Sequence, residues 1–386
     1  MCSAEPSGRS NPTCAQKWSP PALGKRSGGT PPSPPPSPPA PPPSPASPRP
    51  SPPPPPGPSP PPPGPSPPPP YPPPSPPNPP GPPAPPSAVP AASWRAVAAS
   101  SDGLRMAAVN SEWIYTSADG GVTWVQRSSA GKRAWWALAG SADGLKLAAG
   151  VMSGLIFTSA DAGATWTERT AAGSRLWAAL ASSADGTRLA AAAYQSYIYT
   201  SSDGEATWRE QMDVGKRDWS AVASSSDGMS LVAAAAAGNL WTSSDGGFAW
   251  TQRTEAGQRG WRSMASSADG QRLAAGVGGG SIWTSSDAGG TWTEREAAGS
   301  RAWMGLACSS NCSRLASVDN AGDAYAGGGV YLLGNGDASW TLADGAGASR
   351  YWYAIAGSAN LSRVEAVVDG EGLNTSSNSG IWWMRR

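Results

Sequence analysis

Residues 285–292 read Ser-Ser-Asp-Ala-Gly-Gly-Thr-Trp, and the same Ser-x-Asp-x-Gly-x-Thr-Trp pattern stands at residues 117–124 and 159–166. The closing tryptophans Trp124, Trp166, Trp208, Trp250 and Trp292 follow one another at intervals of 42 residues. A strict period of that length is one supersecondary unit used repeatedly. Within the copy that starts at Trp261, Trp-Arg-Ser-Met-Ala-Ser alternates as a strand and Ala268-Asp-Gly270 signals a turn. Gln271 to Gly276 is a second strand, Ser281 to Ser285 a third, and the quoted motif turns the chain into a fourth. Four short meandering strands per repeat are the content of one propeller blade.

A second marker counts the units. Trp94, Trp135, Trp177, Trp219, Trp261, Trp303 and Trp352 each precede a first-turn Asp or Asn by 8 residues. The reading is an all-β chain whose residues 91–386 form a seven-bladed β-propeller, since a closed ring removes sheet edges. A linear solenoid is the competing architecture, and it needs capping repeats that neither end provides. The first unit begins on its first strand and the last ends on its fourth, so closure is expected without an exchanged strand.

The motif resembles the Asp-box, or BNR, repeat of sialidase-like β-propellers. Two further copies depart from it, with Glu205 for Gly in 201–208 and Ala249 for Thr in 243–250, and the last has Asn378 for Asp. The resemblance implies a structural role for Asp119, Asp161, Asp203, Asp245 and Asp287, which accept hydrogen bonds from their own hairpins, and for the five tryptophans, which pack between blades. A calcium reading of Asp-x-Gly fails on lone carboxylates, because Ca²⁺ takes several oxygen ligands.

All 44 prolines lie at or before Pro90, so the chain divides sharply in composition. Residues 31–90 read as a polyproline II stalk, about 190 Å long if fully extended at ~3.1 Å per residue. The stalk resembles hydroxyproline-rich wall glycoproteins of plants and green algae. Residues 1–30 carry no hydrophobic h-region; a transit-like leader and an incomplete N-terminus both fit them. Asn311, Asn360 and Asn374 open sequons for N-glycosylation, and the first two occupy turns.

Charge and composition exclude several function classes. The chain carries 28 Lys and Arg against 27 Asp and Glu, with no clustered basic surface, so no nucleic-acid partner is expected. No stretch is long and apolar enough to span a bilayer. Histidine is absent, which removes the usual general base and the commonest metal ligand. No metal and no cofactor is expected. Cys308 and Cys312 bracket a turn and are either a short disulfide or two free thiols; Cys2 and Cys14 lie in the leader.

A ligand face is expected opposite the Asp turns, where the connections between second and third strands and between blades lie. Arg133, Arg175, Arg217, Arg259, Arg301 and Arg350 each stand 2 residues before a first-strand Trp. They read either as a guanidinium ring for an anion or acidic sugar, or as one structural contact made repeatedly on an aromatic or a glutamate. The sixth unit is longer than the others, which adds Asp319, Asp323 and Tyr325 to the same face. Sialidase-like hydrolysis would need an arginine triad, an acidic general acid and a Tyr–Glu pair; Tyr194 and Glu112 can be imagined as that pair, but nothing in the sequence fixes their geometry. No catalytic residue is assigned. The reading is a non-enzymatic extracellular or cell-wall module that engages an unidentified glycan or protein partner. Its alternatives are a lumenal photosystem II assembly-factor-like protein and a sialidase-like glycoside hydrolase. The sequence sets no oligomeric state.

Overall fold

The computed structural model describes residues 89–204, 206–320, 328–334, 340–343, 346 and 350–386. The leader and all of the stalk before Val89 lie outside these residues. The described chain is all-β, with short 3₁₀ turns and no α-helix among the described residues. No helix among them is long and apolar enough to cross a membrane.

The strands pair antiparallel in chain order, four to a unit. In the first unit, Ala92–Ala99, Met106–Asn110, Ile114–Ser117 and Val125–Gln126 pair in succession. The second strand of each unit opens on five buried residues, mostly small, as in Leu189–Ala193 and Leu231–Ala235, because that stretch is covered by a neighbouring unit on both faces, whereas the longer Leu147–Gly154, Leu273–Gly280 and Val364–Glu371 run on to less buried ends. Small Ala side chains let sheets approach closely, and the large first-strand tryptophans fill what remains. Trp94, Trp135, Trp177, Trp219, Trp261, Trp303 and Trp352 are each at most 1% exposed.

Each core cluster lies between two successive units. One gathers Ala137, Ala148 and Ile156 with Trp177, Leu189 and Tyr199 of the next unit, and the following cluster repeats the pattern around Trp219. Backbone hydrogen bonds join the first turns of neighbouring units. They run from Ser101 to Ala142, Ala142 to Ala184, Ala184 to Ser226, Ser226 to Ala268, Ala268 to Ser310, Ser310 to Ala359 and Ala359 back to Ser101. The series therefore closes on its own starting residue. The same closure is made by sheet pairing, since Ala92 and Ser93 of the first strand pair with Glu371 and Asp369 of Val364–Glu371. The last four strands, Trp352–Gly357 to Met384–Arg385, complete their own unit, so no strand is exchanged between the ends. These curled sheets around a shared axis are a β-propeller.

Candidate functional site

The first strand of every unit carries the same irregularity just after its tryptophan. Pairing with the second strand skips one residue between Trp94 and Ala96, Trp135 and Ala137, Trp219 and Ala221, Trp261 and Ser263, Trp303 and Gly305, and Trp352 and Ala354. In the third unit Ala178 is skipped in the same way. The skipped residue is a β-bulge, which leaves the ladder and re-aims its side chain. The bulge residues are Arg95, Trp136, Ala178, Ser220, Arg262, Met304 and Tyr353, and all of them line one central cavity of about 650 Å³. That volume lies within the ~300–1,000 Å³ of ordinary ligand pockets.

The repeat fixes the tryptophan and leaves the next position free. None of the bulge residues is buried, whereas every preceding tryptophan is. Met152, Tyr194 and Ala236, from the ends of second strands, complete the mouth on the face opposite the Asp turns.

Arg95 organises one side of this mouth. Its Nη1 stands 3.1 Å from Asp369 Oδ2. Its guanidinium carbon lies 5.2 Å from the Trp136 ring centre and 4.8 Å from that of Tyr353, so the cation packs in the corner formed by the two rings. Trp136 and Tyr353 also meet edge to face at 5.9 Å. Burial pushes the Tyr353 phenol up, with Arg95 pulling the other way. Arg262, which also acts on the Tyr353 phenol against burial, lines the same cavity, is exposed and has no hydrogen bond or ion pair to any described residue. Tyr194 and Met152 are 41% and 45% exposed. No Asp or Glu is among the described residues that line the cavity.

The Asp hairpins lie at the other end of the strands. Asp161 accepts from Ser159 Oγ at 2.7 Å, from the Thr165 backbone N–H at 2.8 Å and from Thr165 Oγ1 at 2.6 Å. These bonds, the Thr165 hydroxyl first, hold its carboxyl down to about 2. Asp119, Asp203 and Asp287 make the same set, and Asp245 lacks only the hydroxyl because residue 249 is Ala. The glycine two residues on adopts φ 83° at Gly163, where an added Cβ would stand 2.9 Å from Thr116 Cγ2 of the preceding unit. The indoles Trp124, Trp166, Trp250 and Trp292 each donate to that glycine's carbonyl, and Trp208 packs in the cluster around Trp177.

The arginine series is placed on the mouth-side face, away from the axis. Arg133, Arg175, Arg217, Arg259 and Arg301 each lie over the aromatic ring of the next third strand, at 4.2 to 4.9 Å from its centre. Arg133 and Arg175 also reach Glu168 and Glu210, and Arg350 reaches Glu371 at 3.5 Å. Where the first unit has Ala92 in place of Arg, Val89 packs in the cluster with Trp94 and Tyr115. None of these arginines lines the axial cavity.

Asp319 is 1% exposed, accepts from the Gly329 N–H and lies 3.5 Å from Arg301. Burial pushes its carboxyl up against those two partners. It anchors the base of the sixth-unit insertion, whereas Asp323 and Tyr325 lie outside the described residues. Tyr194 lines the mouth, but Glu112 pairs with Lys132 at 2.9 Å, so the structure does not bring those two together. Cys308 and Cys312 are disulfide-bonded. Asn311 and Asn360 cap their turns through Oδ1, accepting from Ser313 N and Ser362 N, and both residues are exposed. Asn374 is 2% exposed within Leu373–Ser376, where Nδ2 donates to the Gly372 carbonyl, so a glycan has no room there in the folded protein.

The bulge residues were not singled out by motif reading, because no two share a side chain type in consecutive units. Their signal is that very variability at a fixed position of an otherwise conserved repeat.

No protein-family model matches the chain, and no curated protein matches it. Solved structures do resemble it. The GH74 enzyme of Niastella koreensis superposes with a TM-score of 0.61 at 17% identity, over 76% of this chain and 53% of the enzyme. YCF48 bound to D1 peptide gives 0.56 at 15% identity, over 73% of this chain and 92% of YCF48. The Swd1 β-propeller domain from Myceliophteria thermophila gives 0.58 at 12%, over 74% and 96%. This chain thus spans about half the length of the GH74 enzyme. What is common to all three at such identities is the propeller fold.

Proposed function

We propose that residues 91–386 are a seven-bladed propeller of the Asp-box kind that serves as a non-enzymatic binding module, with its ligand seat at the axial mouth. Residues 31–90 are its polyproline II stalk, and the assembly is an extracellular or wall glycoprotein that engages a glycan or protein partner. The observation that carries this reading is the bulge: in each unit it turns the one unconstrained side chain toward the axis, while the repeated side chains are consumed in building the ring.

Two alternatives share the fold. A glycoside hydrolase is favoured by the GH74 likeness, and a lumenal assembly factor by the YCF48 likeness. Glycoside hydrolysis ordinarily needs two carboxyl groups about 5–9.5 Å apart across the scissile bond. The described cavity wall offers Arg, Trp, Tyr and Met instead, which supports binding over hydrolysis. The experiment has two parts. A fluorescent fusion at the native locus is expected at the wall, and a plastid signal would favour the assembly factor. A combined glycan and peptide array, probed with the wild type and Trp136→Ala, is expected to show signals that the variant loses. Turnover of fluorogenic glycosides by the wild type would reject the non-enzymatic reading.

A further inference from the structure

We infer that the occupant of the axial mouth is an acidic peptide segment, its carboxylate at Arg262 and its apolar side chains against Trp136, Tyr353, Met152 and Met304. This deepens the reading of the mouth as a ligand seat and rests on it. Two properties of the wall select the class.

The first is charge. Among the described residues lining the cavity the two charged ones are arginines, and Arg95 is already matched by Asp369 at 3.1 Å. Arg262 is left as the excess cation, exposed and with no ion pair among the described residues. A carboxylate meets it as a charge-assisted, two-pronged hydrogen-bond acceptor. The second is the apolar share of the rest of the wall. Met152, Met304 and Leu176 have no donor to give and the single Ser220 proton is shared between the Trp261 and Ala234 carbonyls, so the free polar groups beside Arg262 are few: the Tyr194 hydroxyl, the Trp136 indole and the unpartnered Ser263 Oγ. A glycan brings hydroxyls on every ring, and each one buried without a partner costs free energy. A peptide brings apolar side chains that such a wall accommodates, and thioethers adapt to varied shapes. Charge complementarity at Arg262 then sets orientation and approach.

The test uses the full chain, displayed against a random hexapeptide library and, separately, against oligogalacturonate as the acidic glycan. The expected result is enrichment of Asp or Glu beside Leu, Phe or Met. The selected peptide should lose affinity by about 10-fold or more in Arg262→Gln and should weaken with added salt, as screened charge pairs do. Thermal melts confirm that the variant is folded. Selection of neutral or basic peptides, or binding unchanged in Arg262→Gln, overturns the inference. Binding of oligogalacturonate alone, lost in Trp136→Ala, also overturns it while the mouth survives as the seat. Ligands held equally by wild type and Trp136→Ala remove the mouth itself, and with it the parent reading.

Discussion

Arg95 in the first unit and Asp369 in the last are joined by an ion pair across 274 residues of sequence. The pair sits where the ring has no covalent link, and it also sets one wall of the axial mouth. It is partly shielded, with side-chain exposures of 17% and 34%. Asp369→Asn is expected to lower stability by on the order of 1 kcal/mol, the upper range for such pairs. A double-mutant cycle with Arg95→Gln checks this: a coupling near zero would mean that the seam closes without the pair.

Glu365 lies at the same seam. Its strand neighbours across the ladder are Ala356 and Thr375, and an added Cβ at Gly121 of the first unit would stand 2.5 Å from Thr375 Cγ2. The carboxyl is fully buried, neither oxygen has a hydrogen-bond partner among the described residues, and burial pushes its pKa well above the usual 4.5. A folded-state value above the unfolded one means that the native protein holds the proton more tightly. Its contribution is therefore fully present below pH 4.5 and is lost as pH rises toward the folded value. The corresponding positions of the other units hold Ala, as at Ala107 and Ala148, or in the fourth unit Val232. Glu365→Ala should raise the melting temperature near neutral pH, with the gain shrinking in acid. Equal melting curves at all pH values would refute this.

The hairpin aspartates act with the opposite sign. Asp161, Asp185, Asp203 and Asp287 are held down to about 2, below the ordinary 3.8, by hydrogen bonds from their own turns. Their contributions are present above 3.8 and are lost as pH falls toward about 2. Asp161→Asn, which keeps an acceptor as Asn311 and Asn360 do, should flatten the acid limb of a denaturation curve while preserving the fold. Asp161→Ala should destabilise at all pH values. Chemical-denaturant titrations at a series of pH values separate the two.

The two tryptophan series differ in what they support. Trp177 is 1% exposed and lies edge to face with Tyr199 at 5.3 Å, whereas Trp166 is only partly buried. Trp177→Ala is expected to cost about 3–5 kcal/mol, the range for deleting a buried aromatic. The sequence alone would assign that cost to Trp166→Ala; burial shifts it to the first-strand residue, so Trp166→Ala should cost less. Urea unfolding of both variants decides the order.

The propeller was legible because its period is carried by large, chemically unmistakable residues. Tryptophans at constant spacing and Ser-x-Asp turns announce a repeating meander, and the expected assignment of both turns to one face agrees with the hydrogen bond from Gly120 to the Leu104 carbonyl. The arginine series was legible as a repeat, and so was the choice of an aromatic or a glutamate as its partner, but not which ring, since the ring beneath each arginine comes from the third strand of the unit that the arginine precedes or opens. The axial mouth was hidden for a different reason. A β-bulge redirects one side chain without leaving a residue signature, so Trp136 or Arg262 reads in sequence as an ordinary outward strand position. Asn374 shows the converse limit: a sequon specifies neighbours along the chain and carries no information about burial.

The central claim is that recognition belongs to the bulge residues at the axis and that the Asp hairpins serve shape alone. The most direct test is the array-binding profile of Trp136→Ala beside that of Asp161→Asn, both verified as folded by thermal melts. The account predicts that Trp136→Ala loses the wild-type signals and Asp161→Asn retains them. Retention by Trp136→Ala with loss in Asp161→Asn would contradict it.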